Sequence, residues 1–414
     1  MATRSAAITG IGLVAPTGAG HGPFWAAVTA ARPCLHRLRR FDPTGLACQI
    51  AGEVDDDCYA DLVDPRKVRT TTRASRLALA ASALALSDAR LPAHAIPPQA
   101  FGVTVGTALG GWADAEQQVA VALERGTRRV NPFIVAGSGH HGPGIEVASA
   151  VQAQGPQATF ASGCPSSLQA VAYAAQLIAS GAVEACLAGG VETPLSPIGF
   201  ASLCRTNELS SECDAPARAS RPFDVAHSGM VLSEGSCFLM LEELAQARRR
   251  GATVYATVLG AAQSCDAQGL YAVETSGRIA ATALRQLLER VQIGPRDIDY
   301  ICAHANAAPA FDRKEIRVLS EAFGEFLPTI AISSIKGVLG HPFGAAGAFQ
   351  TAAAALAIAT GTIPPTANLD VPADDCQARH VIGPSLRTVV RRALITSYGY
   401  GGVNASLLLG SADL

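Results

Sequence analysis

The chain holds 414 residues, 49% of them hydrophobic and 16% charged, with 32 basic against 34 acidic side chains. Such a length exceeds one ordinary hydrophobic core and implies two or three domains or one large layered unit. A formal net charge of −2 lacks the basic excess that nucleic acid or an anionic membrane would attract, so an acidic partner has to be met by a local patch.

The first predicted element is a buried strand over residues 6–14, because Gly10, Gly12 and Pro16 interrupt the apolar run before a signal-peptide helix could form. Further apolar runs predict strands over 101–105, 185–187, 237–241, 256–259, 298–302, 330–332 and 393–396. Alanine-rich segments over 74–89, 168–180, 276–291 and 347–360 predict helices between them. This alternation indicates an α/β protein whose strands are buried on both faces. Residues 203–217 read as a polar loop, and EELAQARRRG as an exposed helix end. The longest late apolar run, 348–359, is about half of what a membrane span needs. A series of strand, long excursion, strand, helix and strand runs twice, which predicts a duplicated fold with halves 1–250 and 251–414.

Eleven cysteines without a CxxC pair indicate neither a zinc site nor a disulfide framework. Reduced thiols in a cytosolic protein fit best, and no metal is expected. Cys164, in FASGCPSSLQA, stands apart by its setting. It precedes a helical run starting near Pro165, where unpaired backbone N–H groups and the helix dipole favour thiolate over thiol. A small buried residue filling a tight turn is the other reading.

A cysteine nucleophile needs a base or an electrostatic partner, and the second half offers candidates. His304 follows a predicted strand and is placed to face a cleft, or to be a satisfied structural histidine. In SSIKGVLGHPFGAAG, residues 333–347, four glycines follow Lys336 and surround His341. The pattern predicts backbone packed closely around a ligand, with tight strand-to-helix turns as the alternative. It fails the P-loop spacing, since Lys336 precedes the glycines. A third cluster, SYGYGGVN at 397–404, offers N–H donors for an oxyanion or forms a plain turn.

Taken in order, these segments resemble the elongating β-ketoacyl-acyl-carrier-protein synthases, condensing enzymes of fatty-acid and polyketide synthesis with the thiolase fold. The motifs are ITGIGLVAPTG, GTALGG at 106–111, the Cys164 turn, AGGVE at 188–192, SRPFD at 220–224, SEG at 233–235, KGVLGHPFGAAG, IPPTANLD at 363–370 and SYGYGGVNAS. The resemblance spans essentially the whole chain and implies duplicated halves in five layers, α-β-α-β-α. It implies that Cys164 carries the acyl chain and that His304 and His341 bind a malonyl-type extender. Lys336 and Glu315 match the family's supporting lysine and acid, and the backbone N–H groups of Cys164 and Tyr400 its oxyanion hole. Leu109, Phe133, His140, His141 and Tyr400 match the acyl pocket and its gate. No cofactor is expected on the enzyme itself, because phosphopantetheine enters on the carrier protein. The implied partners are that protein and a second, identical or related, subunit.

Departures from the family pattern are local. Where His-Gly-Thr-x-Thr is usual, the chain has His304-Ala305-Asn306-Ala307-Ala308, so two hydroxyls that contact pantetheine are absent and Asn306 replaces one at most. Tyr400 stands for the gating phenylalanine, adding a hydroxyl that wants a hydrogen bond when buried. A basic run of Arg66, Lys67, Arg69, Arg73 and Arg76, with Arg205, matches the carrier-docking region or is a solvated helix face. These changes favour a specialised polyketide or polyene pathway. Two rival readings are a non-elongating chain-length or decarboxylating subunit, against which Cys164 counts, and a thiolase, which would want a second cysteine within 398–404.

Overall fold

The computed structural model describes residues 4–91 and 95–414. Its principal strands in the first half are β1 (Ala6–Ala15), β2 (Phe101–Gly106), β3 (Gln157–Phe160), β4 (Ala185–Glu192) and β5 (Gly235–Glu243). Those in the second are β6 (Ala256–Cys265), β7 (Tyr300–Cys302), β8 (Ala331–Ser333), β9 (Arg392–Tyr398) and β10 (Val403–Gly410). Across the sheet their order is β3-β2-β4-β5-β1 and β8-β7-β9-β10-β6. Each half therefore sets its third, second, fourth, fifth and first strands side by side. Within each, the first three of that series run parallel, and the last two pair antiparallel. Identical order and direction, without visible sequence repeat, is what a duplicated fold leaves behind. Residues 6–8 pair antiparallel with 256–258, which joins the two sets into one sheet.

The longer helices are α1 (Arg73–Asp88), α2 (Trp112–Arg125), α3 (Gly142–Ala150), α4 (Ser166–Ala179), α5 (Arg278–Arg290), α6 (Pro309–Phe323) and α7 (Ala346–Thr360). Helices α4 and α7 pack against each other between the two sets of strands, while α1 and α3 cover one outer side and α5 and α6 the other. The result is the five-layer thiolase-like arrangement. Composition explains the middle layer. A helix apolar all round must be enclosed, and twelve of the fifteen positions in α7 are buried. The segment Phe343–Thr360 is long and apolar enough to cross a membrane, yet 83% of it is buried within the protein. Small side chains let α4 and α7 meet closely, for a Cβ on Gly347 would fall 2.6 Å from that of Leu168.

Candidate active site

Cys164 occupies the turn from β3 into α4, and Pro165 precedes the first helical residue, Ser166. His341 occupies the corresponding stretch of the second half, between β8 and α7, and His304 follows β7. The Ala348 N–H donates to Ser167 Oγ at 2.9 Å, which ties the starts of α4 and α7 together. As a consequence Cys164 Sγ lies 3.1 Å from His341 Nε2. The rings of His304 and His341 stand perpendicular with centroids 5.3 Å apart. Sγ and one nitrogen of each imidazole fall within 4.8 Å of one another, and all three residues are buried. Among the described residues this is the one group of three ligand-type side chains close enough to share a metal ion; the chemistry argued below needs none.

Burial dominates the electrostatics. It pushes the Cys164 thiol up to about 12, with the Lys336 charge opposing. The imidazoles of His304 and His341 are held well below their usual range by burial, and Lys336 adds to both. Burial thus opposes the thiolate that the sequence expectation placed at the helix N-terminus, because desolvation disfavours the charged form. Both nitrogens of His304 and Nδ1 of His341 lack hydrogen-bond partners among the described residues.

Supporting groups fix His304 through its backbone. Lys336 Nζ donates to the His304 carbonyl. Glu315 accepts from the Ala305 N–H at 2.8 Å and from the Thr396 hydroxyl, whose oxygen accepts the His304 N–H at 3.2 Å. Lys336 and Glu315 are buried, and burial pushes each toward its neutral form while their mutual attraction resists. One residue further out, Asp312 accepts the N–H groups of Asn306 and Ala307 at 3.0 and 3.2 Å and pairs with His227 at 3.0 Å. Glu192 braces the other wall, accepting from the N–H groups of Ala108, Leu109 and Gly344 and from the Thr107 hydroxyl.

The glycines around His341 pack as closely as expected, but against the protein's own backbone. A Cβ on Gly337 would lie 2.4 Å from Ala367 O, and one on Gly344 2.4 Å from Ala108 N. The loop at 397–404 meets the cysteine turn, since a Cβ on Gly399 would fall 2.9 Å from Pro165 Cδ and 3.4 Å from Cys164 N.

Family comparison fits this geometry. Residues 3–247 match the family model described as β-ketoacyl synthase, N-terminal domain, and residues 255–370 match its C-terminal domain. The chain belongs to the β-ketoacyl synthase family. It is 36% identical to the tetracenomycin polyketide synthase ketoacyl synthase alpha subunit of Streptomyces glaucescens, over 99% of this chain and 97% of that one. With the 3-oxoacyl-[acyl-carrier-protein] synthase 2 of Synechocystis it shares 33% identity, covering 97% and 96%. Among solved structures it superposes on the ishigamide ketosynthase/chain length factor with a TM-score of 0.91 at 28% identity, covering 99% and 100%. A structure described as a type II polyketide acyl-carrier protein in complex with its ketosynthase gives 0.89 at 27%, with the same coverage.

The pocket and pantetheine residues predicted for this β-ketoacyl synthase separate into three groups. Leu109 and Tyr400 pack on the apolar cluster that contains Cys164, Leu195, Phe200 and Phe343. By contrast Phe133, His140 and His141 are exposed on the single chain and do not line that cluster. His140 Nε2 instead reaches the Ala108 carbonyl at 3.1 Å. Asn306 and Ala308 are buried near His304, and Asn306 Oδ1 accepts the Ala308 N–H at 3.0 Å, so it bonds its own turn.

Of the residues matched to carrier docking, Arg66, Arg69 and Arg205 are exposed, and Lys67 pairs with Glu146 at 2.7 Å. Arg73 is a correction to the basic run. It is buried, with a two-pronged contact to Glu234 at 2.8 and 2.9 Å, and faces no partner. Glu192, Asp312 and Thr396 were not singled out from the sequence. Glu192 lies inside the AGGVE motif, and that was its one signal.

Proposed function

We propose that this chain is an acyltransferase of the condensing kind, working by decarboxylative Claisen condensation with Cys164 as the acyl-carrying nucleophile. The observation that carries the reading is the convergence of Cys164 Sγ with ring nitrogens of His304 and His341 within 4.8 Å. In the first step His341 Nε2 takes the thiol proton as sulfur attacks the acyl thioester of a carrier protein, and returns it to the departing carrier thiol. The neutral imidazoles then donate N–H bonds to the thioester carbonyl of a malonyl-type extender. As the extender's C–C bond breaks and carbon dioxide leaves, its electron pair becomes an enolate that these donors stabilise. The enolate carbon attacks the acyl-Cys164 carbonyl, the C–S bond breaks with its electron pair on Cys164 Sγ, which takes up a proton from solvent to restore the thiol, and the β-ketoacyl thioester stays on the carrier. Backbone N–H groups of Cys164 and Tyr400 serve the tetrahedral oxyanion, a role supported by the approach of Gly399 to Cys164 N.

Lys336 and Glu315 act as positioning residues through the His304 backbone. No cofactor is required on the enzyme, since phosphopantetheine arrives with the carrier. Exposed Arg66, Arg69 and Arg205 suit an acidic carrier surface. A second subunit is supported by β3, which ends the sheet with its outer side unpaired among the described residues, and by the exposed apolar side chains of Phe133, Val135 and Ile145. With its eleven free thiols the enzyme suits the reducing cytoplasm.

Intact-mass measurement after incubation with acyl-carrier protein tests the reading. Wild type should gain one acyl group and Cys164→Ala none. Equal acylation of the two proteins overturns it.

A further inference from the structure

Hydrogen bonds hold His304 through its backbone alone. Neither ring nitrogen has a partner among the described residues, so the imidazole is aimed by the peptide groups on either side of it. Those from His304 onward are held by Lys336 and Glu315. Those before it are held by Gln350, a fully buried residue of α7, the helix that starts just after His341.

Gln350 Nε2 stands 3.1 Å from the Cys302 carbonyl oxygen, 2.9 Å from that of Ala303 and 3.1 Å from that of Thr396. Cys302 ends β7, Ala303 precedes His304, and the Thr396 hydroxyl accepts the His304 N–H. One amide therefore ties α7 to β7 and β9 at the point where the chain leaves β7 for His304. Its orientation follows from chemistry, because a reversed amide would set its oxygen against three carbonyl oxygens. In the orientation seen, two N–H groups serve three acceptors, and Oε1 is buried with no partner among the described residues. A side chain that only filled space would carry neither cost, since leucine or methionine occupies such a volume with no amide to satisfy. The hydroxyls of Thr351 and Thr360 bond back to carbonyls of α7 itself. Gln350 alone of that helix's polar side chains reaches across to the strands.

Resting on the condensation reading above, we infer that Gln350 is a positioning residue for the condensation step, its NH2 group holding the peptide groups that aim His304 at the extender. It thereby sets where the enolate donor stands relative to His341 and Cys164. Acylation of Cys164, in which His304 takes no part, does not depend on it.

The test follows both steps by intact mass at a temperature where circular dichroism shows each protein folded. Butyryl-N-acetylcysteamine loads Cys164, and malonyl-carrier protein then discharges it. Gln350→Met removes the donors at similar length, Gln350→Asn keeps the amide but falls one carbon short, and Leu356→Ala loosens the same helix further along. Both Gln350 variants should load near the wild-type rate and discharge about tenfold more slowly, short of the roughly 100-fold that losing an oxyanion donor itself brings. Leu356→Ala should melt lower than wild type yet keep the wild-type ratio of the two rates. Wild-type discharge in both Gln350 variants, or equal slowing of loading and discharge, overturns the inference and leaves the condensation reading standing. A selective loss of discharge in Leu356→Ala also overturns it, for any loosening of α7 would then suffice. If wild type gains no butyryl group from this donor or from acyl-carrier protein, the condensation reading falls and this inference with it.

Discussion

Cys164 Sγ and His341 Nε2 lie 3.1 Å apart although 177 residues separate them. Each sits just ahead of one of the two central helices, whose starts are joined by the Ala348 to Ser167 hydrogen bond. The contact is thus a product of the duplicated fold, in which equivalent turns of the two halves face each other. Burial disfavours the Cys164 thiolate, and His341 Nε2 lies within reach of the thiol proton.

That state makes a prediction about pH. With the thiol raised to about 12 and His341 depressed, deprotonation of Cys164 continues far above neutrality. The rate of Cys164 alkylation by iodoacetamide should rise about tenfold per unit from pH 7 to pH 10. A preformed thiolate–imidazolium pair would instead level off below pH 7, and a plateau there contradicts the assignment of a neutral pair.

His304 should be separable from acylation. Its ring has no hydrogen-bond partner among the described residues and faces His341, which suits a donor to the enolate rather than a base for the thiol. His304→Ala should accept an acyl group at near wild-type extent and lose extension by about 100-fold, the usual effect of removing one oxyanion donor. Mass analysis with and without malonyl-carrier protein reads both steps; loss of acylation itself would refute the division of roles.

Glu192 should matter for the shape of the pocket. Both its oxygens face donors, so Glu192→Gln would point an amide NH2 at an N–H and leave buried donors unpaired. A destabilisation of about 2 kcal/mol is expected, together with slower acylation because Ala108, Leu109 and Gly344 stand around Cys164. Chemical denaturation reads the first effect, and a midpoint equal to wild type would show that these bonds are dispensable.

The basic run should split by burial. Arg73→Ala removes the main partner of buried Glu234 and should cost roughly 3 kcal/mol of stability. Arg66→Ala and Arg69→Ala, both exposed, should change stability by less than about 0.5 kcal/mol and raise the KM for carrier protein. A KM unaffected by the double variant Arg66→Ala/Arg69→Ala would remove these residues from the docking surface.

Much of the molecule was legible in the sequence because its core elements are short, apolar and punctuated by glycine. Strands β1, β2, β5 and β9 and helices α1, α4, α5 and α7 appear in the pattern within a few residues of their bounds. What escaped has a physical reason in each case. Helix α6 buries Asp312, Lys314 and Glu315, so its inner face carries charges that a reading for apolar periodicity assigns to solvent. Strand β3 is a partly exposed edge of mixed composition, and β10 follows directly on a glycine loop that reads as a turn.

The sequence by itself determined the alternation of strands and helices, the setting of Cys164 before a helix, and the two histidines as candidates for its company. It could not determine protonation. The helix start at Cys164 argues for a thiolate, while the folded structure packs Cys164 with Leu195, Phe200 and Phe343, and that burial pushes the thiol the other way. Nor could it show Arg73 turned inward to Glu234, or Tyr400 carrying its hydroxyl into an apolar wall beside Glu208. Each is a balance between solvent and a partner distant in sequence, and it is settled only when packing decides which of the two is present.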